Sequence, residues 1–252
     1  MCCSQIQVCT VIHRRDIRSV VNMDNLKAIF FDADGTLVNL IECERQALES
    51  VFDNIGTEYK NEYQDIFRHI EQTIWDKESY NGIPVSRENV FTYRFKILFG
   101  NLNIDYCDYN KANDFFKLGL AGSVALINNA VEVVEYLHSK NYLLCVVTNG
   151  LIELQRPRVV NSKIGKFISH IMVSEEVGAH KPNPLIFNTL LKRICLNPCD
   201  VIMVGDSILN DIQGAKAAGI MSIWYNPEHM ENPTDILPDF EIDNLLELKS
   251  MF

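Results

Sequence analysis

Two aspartates, Asp32 and Asp34, stand directly after the short apolar run Lys27–Phe31. An apolar run that ends in a turn-forming sequence predicts a buried strand that stops at these residues. Two carboxylates at positions i and i+2 can reach one small site. One can attack phosphorus, and the other can give a proton to the leaving oxygen and later take one from water. The same residues also suit a turn in which Asp and Gly serve the backbone, so the pair alone is not decisive.

A second acidic pair, Asp206 and Asp211, follows another apolar run, Asp200–Val204. Carboxylate oxygens are the ligands that Mg²⁺ prefers, and Mg²⁺ commonly shares substrate phosphate oxygens. For Asp211 the alternative is a solvated acid favoured by the dipole at a helix start. For Asp206 that alternative is weaker, because an aspartate is an unusual residue at the end of a buried strand.

Thr148, Asn149 and Lys181 complete the set of residues that could act on a phosphate group. A hydroxyl and backbone N–H groups at a helix start can hold phosphate oxygens, although Thr and Asn are also ordinary helix N-caps. The Lys181 ammonium could neutralise phosphate charge in a transition state, but most lone lysines are surface residues.

The elements that must position these residues alternate between strands and helices. Apolar runs that predict strands, the last of them weaker, are Lys27–Phe31, Tyr142–Val147, Asp200–Val204, Gly219–Trp224 and Phe167–Val173. Segments with helical spacing are Ala130–Lys140, Pro184–Ile194 and Leu209–Ala218. This alternation predicts an α/β fold whose core is a Rossmann-like, doubly wound, mostly parallel sheet. The polar residues described above follow strand ends, where such sheets bind ligands.

The stretch from about residue 40 to 121 interrupts the alternation, because it contains no clear buried strand. It is rich in aromatic and charged residues, and two segments, Ile41–Ile55 and Tyr63–Ile74, have helical spacing. We predict an all-helical cap at 40–121, inserted into a core formed by 23–39 and 122–252. Residues 1–22 are expected to be a poorly ordered N-terminal extension, with Met23 as a plausible natural start.

The composition and charge of the chain limit the classes of partner that it can be expected to bind. The chain has 252 residues, is 47% hydrophobic and carries a net charge of −10. That charge, with no basic cluster, argues against a nucleic acid polymer. No apolar run is long enough to span a bilayer. The eight scattered cysteines match no zinc-site spacing, so reduced thiols in a cytoplasmic protein are expected.

In this order and at these chain positions, the motifs resemble those of the haloacid dehalogenase superfamily of aspartate-nucleophile phosphotransferases. The matching residues are DADGT at 32–36, Thr148-Asn149-Gly150, Lys181-Pro182, and Gly205-Asp206-Ser207 running to Asp211. The resemblance covers the chain from about residue 26.

The resemblance implies a role for each matching position. Asp32 corresponds to the nucleophile that forms an aspartyl-phosphate, and Asp34 to the general acid/base. Thr148 and Asn149 correspond to the phosphate-binding group, and Lys181 to the cation that steadies both phosphate and nucleophile.

The implied cofactor is Mg²⁺. Its ligands would be the side chains of Asp32 and Asp206 and the backbone carbonyl of Asp34, and Asp211 would orient the lysine or the metal's waters.

The presence of Asp34 favours phosphate chemistry over carbon–halogen cleavage, because the dehalogenases of the superfamily lack this second acid. A closer likeness is to bacterial pyrimidine 5′-nucleotidases of the housecleaning type. It is carried by Thr148-Asn149-Gly150, Leu154-Gln155, Arg158, Ser174-Glu175-Glu176-Val177-Gly178, and the cap residues Trp75, Asn81-Gly82 and Arg94-Phe95. One departure is Asn128-Asn129, where those enzymes usually have Pro-Gly.

The resemblance implies hydrolysis of a small phosphorylated substrate, a pyrimidine nucleoside monophosphate, by a monomer or homodimer. In the cap, Trp75, Tyr80 and Arg94 are candidates to contact the base or sugar, because aromatic faces stack on bases. Phe95 is better explained as part of the cap's own core, and the same explanation stays open for Trp75 and Arg94. Three alternatives stay open: a sugar-phosphate or phosphoglycolate phosphatase, a β-phosphoglucomutase-like mutase, and a catalytically idle binding or regulatory module.

Overall fold

The computed structural model describes the backbone of residues 25–75, 79–80, 83–84 and 87–252, and the side chains of residues 25–73 and 92–252. The predicted N-terminal extension, residues 1–22, lies outside this range. The described residues form two compact units. The sheet unit contains the described residues up to Val38 together with Leu126–Phe252, and the helical unit is Asn39–Ala125.

The secondary structure follows in chain order. The strands are β1 (Ala28–Phe31), β2 (Ser79–Tyr80), β3 (Ile83–Pro84), β4 (Leu143–Thr148), β5 (His170–Val173), β6 (Val201–Gly205), β7 (Met221–Tyr225) and β8 (Phe240–Ile242). The α-helices are α1 (Leu40–Asn54), α2 (Glu62–Trp75), α3 (Arg87–Asn101), α4 (Tyr109–Gly122), α5 (Ala130–Ser139), α6 (Ile152–Val160), α7 (Ser174–Val177), α8 (Pro184–Ile194), α9 (Gln213–Ala217) and α10 (Leu248–Met251).

The sheet unit is built on a six-stranded sheet in the order β5-β4-β1-β6-β7-β8, and every pairing in it is parallel. Strand β1 lies between β4 and β6, so that Phe31 pairs with Val146 on one side and Val204 on the other. All four residues of β1 are fully buried, as expected for a parallel strand covered on both faces. The prediction of an α/β fold with a mostly parallel sheet is confirmed.

Several predicted elements need adjustment. Strand β8 and helix α6 were not predicted: β8 has only three residues, and α6 contains Pro157. The segment predicted as one helix over Leu209–Ala218 begins as a π-helical turn, Ile208–Ile212, and becomes α-helical only from Gln213.

The helical unit contains α1 to α4 and has its own aromatic core. The side chains of Phe67, Phe95 and Phe116 are buried, and their ring centroids lie 5.1 to 5.7 Å apart. The expectation that Phe95 belongs to this core is therefore confirmed. Helix α1 begins after Asn39, whose side chain accepts a hydrogen bond from the Glu42 N–H and so caps the helix.

The prediction of an all-helical insert is wrong in one detail. Ser79–Tyr80 and Ile83–Pro84 form a two-residue antiparallel pair in this part of the chain. The sequence Asn81-Gly82, which lies outside the described residues, is a dipeptide favoured between hairpin strands. That local signal favours a strand pair even where no buried strand is evident.

Within the described part of the chain, no helix combines the length and apolar character needed to cross a bilayer.

Candidate functional site

Asp32 stands at the carboxyl end of β1, at the centre of the sheet. Its backbone N–H donates to the carbonyl of Val204 over 2.9 Å, which extends the pairing of β1 with β6 by one step. The side chain is largely buried, with 8% of the residue exposed. The strand order that puts β1 between two neighbours therefore brings Asp32 beside the ends of both β4 and β6.

Lys181 supplies the cation of the site. Its Nζ donates to Asp32 Oδ1 over 2.6 Å, to Asp211 Oδ1 over 2.7 Å and to the carbonyl of Val147 over 2.8 Å. These three bonds satisfy all three donors of the ammonium. The prediction that Lys181 lies with Asp32, rather than on the surface, is supported by this geometry, because only 4% of the residue is exposed.

The charge state of Lys181 follows from its partners. Burial by itself lowers the pKa of Lys181, but the charges and hydrogen bonds of Asp211 and Asp32 outweigh that effect and raise it above the ordinary value. The side chain is a fixed positive charge at neutral pH.

Three carboxylates converge around this lysine. Asp32, Asp206 and Asp211 each offer an oxygen, and the three oxygens lie within 4.8 Å of one another. Burial and the neighbouring Asp211 raise the pKa of Asp32 well above its usual range, although Lys181 opposes this. Burial and Asp211 likewise raise the pKa of Asp206, to about 6. A set of hard oxygen donors whose charges oppose one another fits a small divalent cation such as Mg²⁺.

The three acids are not equivalent as ligands. Both Asp211 oxygens already accept hydrogen bonds, one from Lys181 and the other from the Ser207 N–H over 3.0 Å. This agrees with the predicted role of Asp211 in orienting the lysine. Asp206 Oδ1 accepts from the Thr36 hydroxyl over 3.2 Å, and the Asp206 carbonyl accepts from Trp224 Nε1 over 2.9 Å. The roles of Thr36 and Trp224 were not predicted.

Two glycines leave room for the carboxylates of Asp206 and Asp211. Gly35 has φ of +85°, and a Cβ on it would lie 2.4 Å from Asp206 Oδ2. A Cβ on Gly205 would lie 2.4 Å from Asp211 Cγ. Real Cβ atoms do not approach other atoms so closely, so both positions require glycine for the acids to converge.

Thr148 and Asn149 follow β4, next to the lysine. The Asn149 side chain accepts from the Lys181 N–H over 2.8 Å and donates to the Lys181 carbonyl over 3.1 Å. It therefore fixes the backbone that carries Lys181. Thr148 is fully buried, and its hydroxyl donates to the Asn149 carbonyl over 3.4 Å. The predicted contact of these two residues with phosphate stays a prediction.

Asp34 contacts two residues of α6. Its Oδ2 accepts from Gln155 Nε2 over 2.8 Å, and its Oδ1 forms an ion pair with Arg158. Gln155 and Arg158 belong to the motif shared with the pyrimidine 5′-nucleotidases, but no contact with Asp34 was predicted for them. Their spacing of three residues within one helix is the signal that places their side chains on one face.

The predicted cap contacts have different outcomes. The side chains of Trp75 and Tyr80 lie outside the described residues. Arg94 is 4% exposed, pairs with Glu71 and donates to Asn113 Oδ1 over 3.0 Å. Its guanidinium carbon lies 4.4 Å from the centroid of the Phe116 ring. The structure places Arg94 in the internal packing of the helical unit, which gives no support to the prediction that it contacts the substrate.

Comparison with known proteins agrees with this geometry. The sequence pattern of the haloacid dehalogenase-like hydrolases matches residues 29–225. The chain therefore belongs to the haloacid dehalogenase-like hydrolases, as the motifs predicted. It is 27% identical over 223 residues to the pyrimidine 5′-nucleotidase PynA of Streptococcus pneumoniae, an alignment that covers 88% of this chain and 93% of that protein.

Two further relatives show how broad the family is. A glyceraldehyde 3-phosphate phosphatase of Pyrococcus furiosus is 27% identical over 215 residues, covering 81% of this chain and 82% of that protein. The crystal structure of the HAD-hydrolase YfnB of Bacillus subtilis bound to magnesium has a TM-score of 0.78 and 28% identity, over 90% of this chain and 98% of that one. The relatives thus agree on hydrolase chemistry and differ in substrate.

Proposed function

We propose that this protein is a Mg²⁺-dependent phosphomonoesterase in which Asp32 attacks phosphorus, and that its substrates are nucleoside monophosphates. One observation carries the chemistry: a buried aspartate at a strand end is paired with a buried lysine and lies within reach of two further acids. A second carboxylate, Asp34, stands two residues further on.

The reaction has two steps. An oxygen of Asp32 forms a bond to phosphorus while the ester oxygen leaves with a proton from Asp34, which gives an aspartyl-phosphate and a free alcohol. Asp34 then takes a proton from water as that water attacks phosphorus, which releases inorganic phosphate and restores Asp32. Throughout, Lys181 offsets the negative charges of carboxylate and phosphate, which would otherwise repel each other.

The carboxylates of Asp32 and Asp206 would hold the Mg²⁺ ion, together with the backbone carbonyl of Asp34. When bound, the ion supplies charge neutralisation at the transferring phosphoryl group. Asp211 keeps the lysine in place, and Thr148 and Asn149 would offer their hydroxyl and N–H groups to phosphate oxygens. The magnesium bound to YfnB, a relative with the same fold, supports this choice of ion.

Asp34 separates this proposal from carbon–halogen cleavage. A dehalogenation needs no proton for its halide leaving group, whereas an alkoxide leaving from phosphorus does. An acid at position 34 therefore favours phosphate esters as substrates.

The likeness to PynA supports nucleoside monophosphates, pyrimidine ones in particular. A second candidate, a small sugar or triose phosphate, is supported by the equal identity to the glyceraldehyde 3-phosphate phosphatase. We expect the enzyme to act in the cytoplasm, because the cysteines among the described residues are free thiols, as is usual in a reducing compartment.

A phosphate-release screen tests the proposal. The purified protein is assayed with Mg²⁺ against nucleoside monophosphates, sugar phosphates and an aryl phosphate, each with an EDTA control. We expect release from pyrimidine nucleoside monophosphates that EDTA abolishes. The matched control is Asp32→Asn, which keeps the shape of the side chain but should lower turnover by at least about 1,000-fold.

The possible results separate the candidates. A preference for sugar phosphates would contradict the proposed substrate class but leave the proposed phosphatase reaction standing. A rearranged phosphosugar without free phosphate would indicate a mutase. A protein inert toward every ester, or an Asp32→Asn variant with normal activity, would refute the proposal.

A further inference from the structure

The Asp34 carboxylate is held from one side by helix α6. Gln155 donates to one oxygen over 2.8 Å, and Arg158 forms an ion pair with the other. Both donors are buried, with 7% of Gln155 and 1% of Arg158 exposed, whereas the Asp34 side chain is 22% exposed. The two donors therefore approach from the protein interior and leave part of the carboxylate accessible.

The two donors are also fixed to each other and to the loop after β4. Arg158 Nη2 donates to Gln155 Oε1 over 2.7 Å. Gln155 Nε2 donates to the Asn149 carbonyl over 3.1 Å. Since the Asn149 side chain holds the backbone of Lys181, this network links Asp34 to the lysine that contacts Asp32.

Stability alone does not account for Arg158. Within the described part of the chain, its Nε and Nη1 atoms are buried and have no hydrogen-bond partner. Burying an arginine with unsatisfied donors costs free energy. Unlike Arg94, Arg158 directs its charge at an acid two residues from Asp32.

We propose that Arg158 and Gln155 are positioning residues that hold the Asp34 carboxylate in one orientation for its two proton transfers. This inference rests on the proposed function, in which Asp34 is the acid and then the base. A general acid must lie within hydrogen-bond reach of the leaving oxygen, and a misplacement of about 1 Å can cost about 100-fold in rate. Gln155 and Arg158 supply the orientation that a short turn after β1 does not.

The test uses two aryl phosphates of similar size, phenyl phosphate and 4-nitrophenyl phosphate. The more basic phenolate needs a proton as it leaves, and the 4-nitrophenolate needs far less help. For Arg158→Met we expect kcat/KM with phenyl phosphate to fall about tenfold more than with 4-nitrophenyl phosphate. The matched control is Arg156→Met, on the same helix, where an exposed arginine pairs with Glu176. It should change both values by less than about twofold.

A double variant sharpens the result. In an Asp34→Asn background, adding Arg158→Met should leave the ratio of the two kcat/KM values unchanged, because the group it positions is already lost. A purely structural role would lower both rates alike and leave the ratio intact in either background.

The proposal is overturned if folded Arg158→Met keeps the wild-type ratio, or if the ratio drops equally in the Asp34→Asn background. If Arg158→Met does not fold, Gln155→Met keeps the guanidinium and is judged by the same ratio. A wild-type protein inert toward both esters would instead refute the proposed function, so the two failures are distinguishable.

Discussion

Lys181 in the sheet unit and Arg94 in the helical unit are both cations buried beside carboxylates, yet their surroundings differ. Lys181 contacts two acids, and a third, Asp206, lies within 4.8 Å of those acids. Arg94 pairs with Glu71, donates to Asn113 and packs against three phenylalanine rings.

The net charge around each cation is what separates the two sites. The three acids exceed the single charge of Lys181, so the cluster has negative charge left over for a further cation. Arg94 and Glu71 offset each other's charge, and Glu44, whose charge also acts on Arg94, lies 3.5 Å from the Arg68 guanidinium. Burial of an ion pair therefore does not by itself indicate a catalytic site, whereas an excess of like charge at the ends of several strands marks a candidate for one.

Of the changes that test this comparison, Lys181→Met is expected to have the largest effect. Lys181→Met removes the charge that offsets carboxylate and phosphate repulsion, and we expect kcat to fall by about 100- to 1,000-fold. Steady-state kinetics with an aryl phosphate measures this. If the loss appeared only in KM, the lysine would bind substrate without acting on the transition state, and the contrast with Arg94 would weaken.

Arg94 should show the opposite pattern. Arg94→Met leaves Glu71 without its partner, and we expect the free energy of unfolding to fall by about 2–3 kcal/mol. The kcat for an aryl phosphate should change less than threefold. Urea denaturation and kinetics on the same sample measure both quantities, with the double change Arg94→Met and Glu71→Leu expected to recover part of the stability. A large loss of kcat in a stably folded variant would instead support the prediction that Arg94 contacts the substrate.

The excess charge predicts a pH-dependent response to metal. Because the pKa of Asp206 is raised to about 6 in the fold, its protonated form favours the folded state. That contribution is fully present below pH 4, near the unfolded pKa, and is lost as the pH rises through 6. The metal-free protein should therefore lose this stability between pH 4 and 6, where the carboxylate becomes available to Mg²⁺.

Thermal unfolding with and without Mg²⁺ tests this directly. At a concentration about 100 times its Kd, the ion should stabilise the protein by about 3 kcal/mol at pH 7.5 and by clearly less at pH 5. Asp206→Asn should remove most of the difference. An equal effect of Mg²⁺ at both pH values would mean that the ion does not bind at these acids.

The smallest expected effect concerns Trp224. Trp224→Phe removes the donor to the Asp206 carbonyl and keeps an aromatic ring, so we expect a loss of about 1 kcal/mol in unfolding free energy and a few-fold weaker affinity for Mg²⁺. Titration of the thermal shift with Mg²⁺ measures both. An unchanged affinity for Mg²⁺ would show that Asp206 is held in position without the hydrogen bond from Trp224.

The strand-end residues were predictable because each follows an apolar run. Asp32 and Asp206 stand after such runs, and a parallel sheet brings those ends to one edge. Lys181 does not directly follow a strand, and its position was predicted from the motif alone. The structure shows why it reaches the site: Asn149 holds its backbone at the end of β4.

The contacts of Asp34 were less accessible to sequence reasoning. Helix α6 contains Pro157 and has no strong apolar stripe, so the pattern did not show which face it buries. Only packing turns Gln155 and Arg158 toward β1. Strand β8 was missed for a related reason, because three residues give too short a pattern to detect.

The strand order has a consequence for synthesis. Strand β1 precedes both of its sheet neighbours in the chain, β4 and β6, and β6 ends only at Gly205. Until β6 has been synthesised, one edge of β1 has no partner, and Asp32, the proposed nucleophile, lacks Asp206 and Asp211. A nascent chain that ends before Gly205 therefore carries Asp32 without Asp206 and Asp211, and the proposed centre is complete only once β6 has paired with β1.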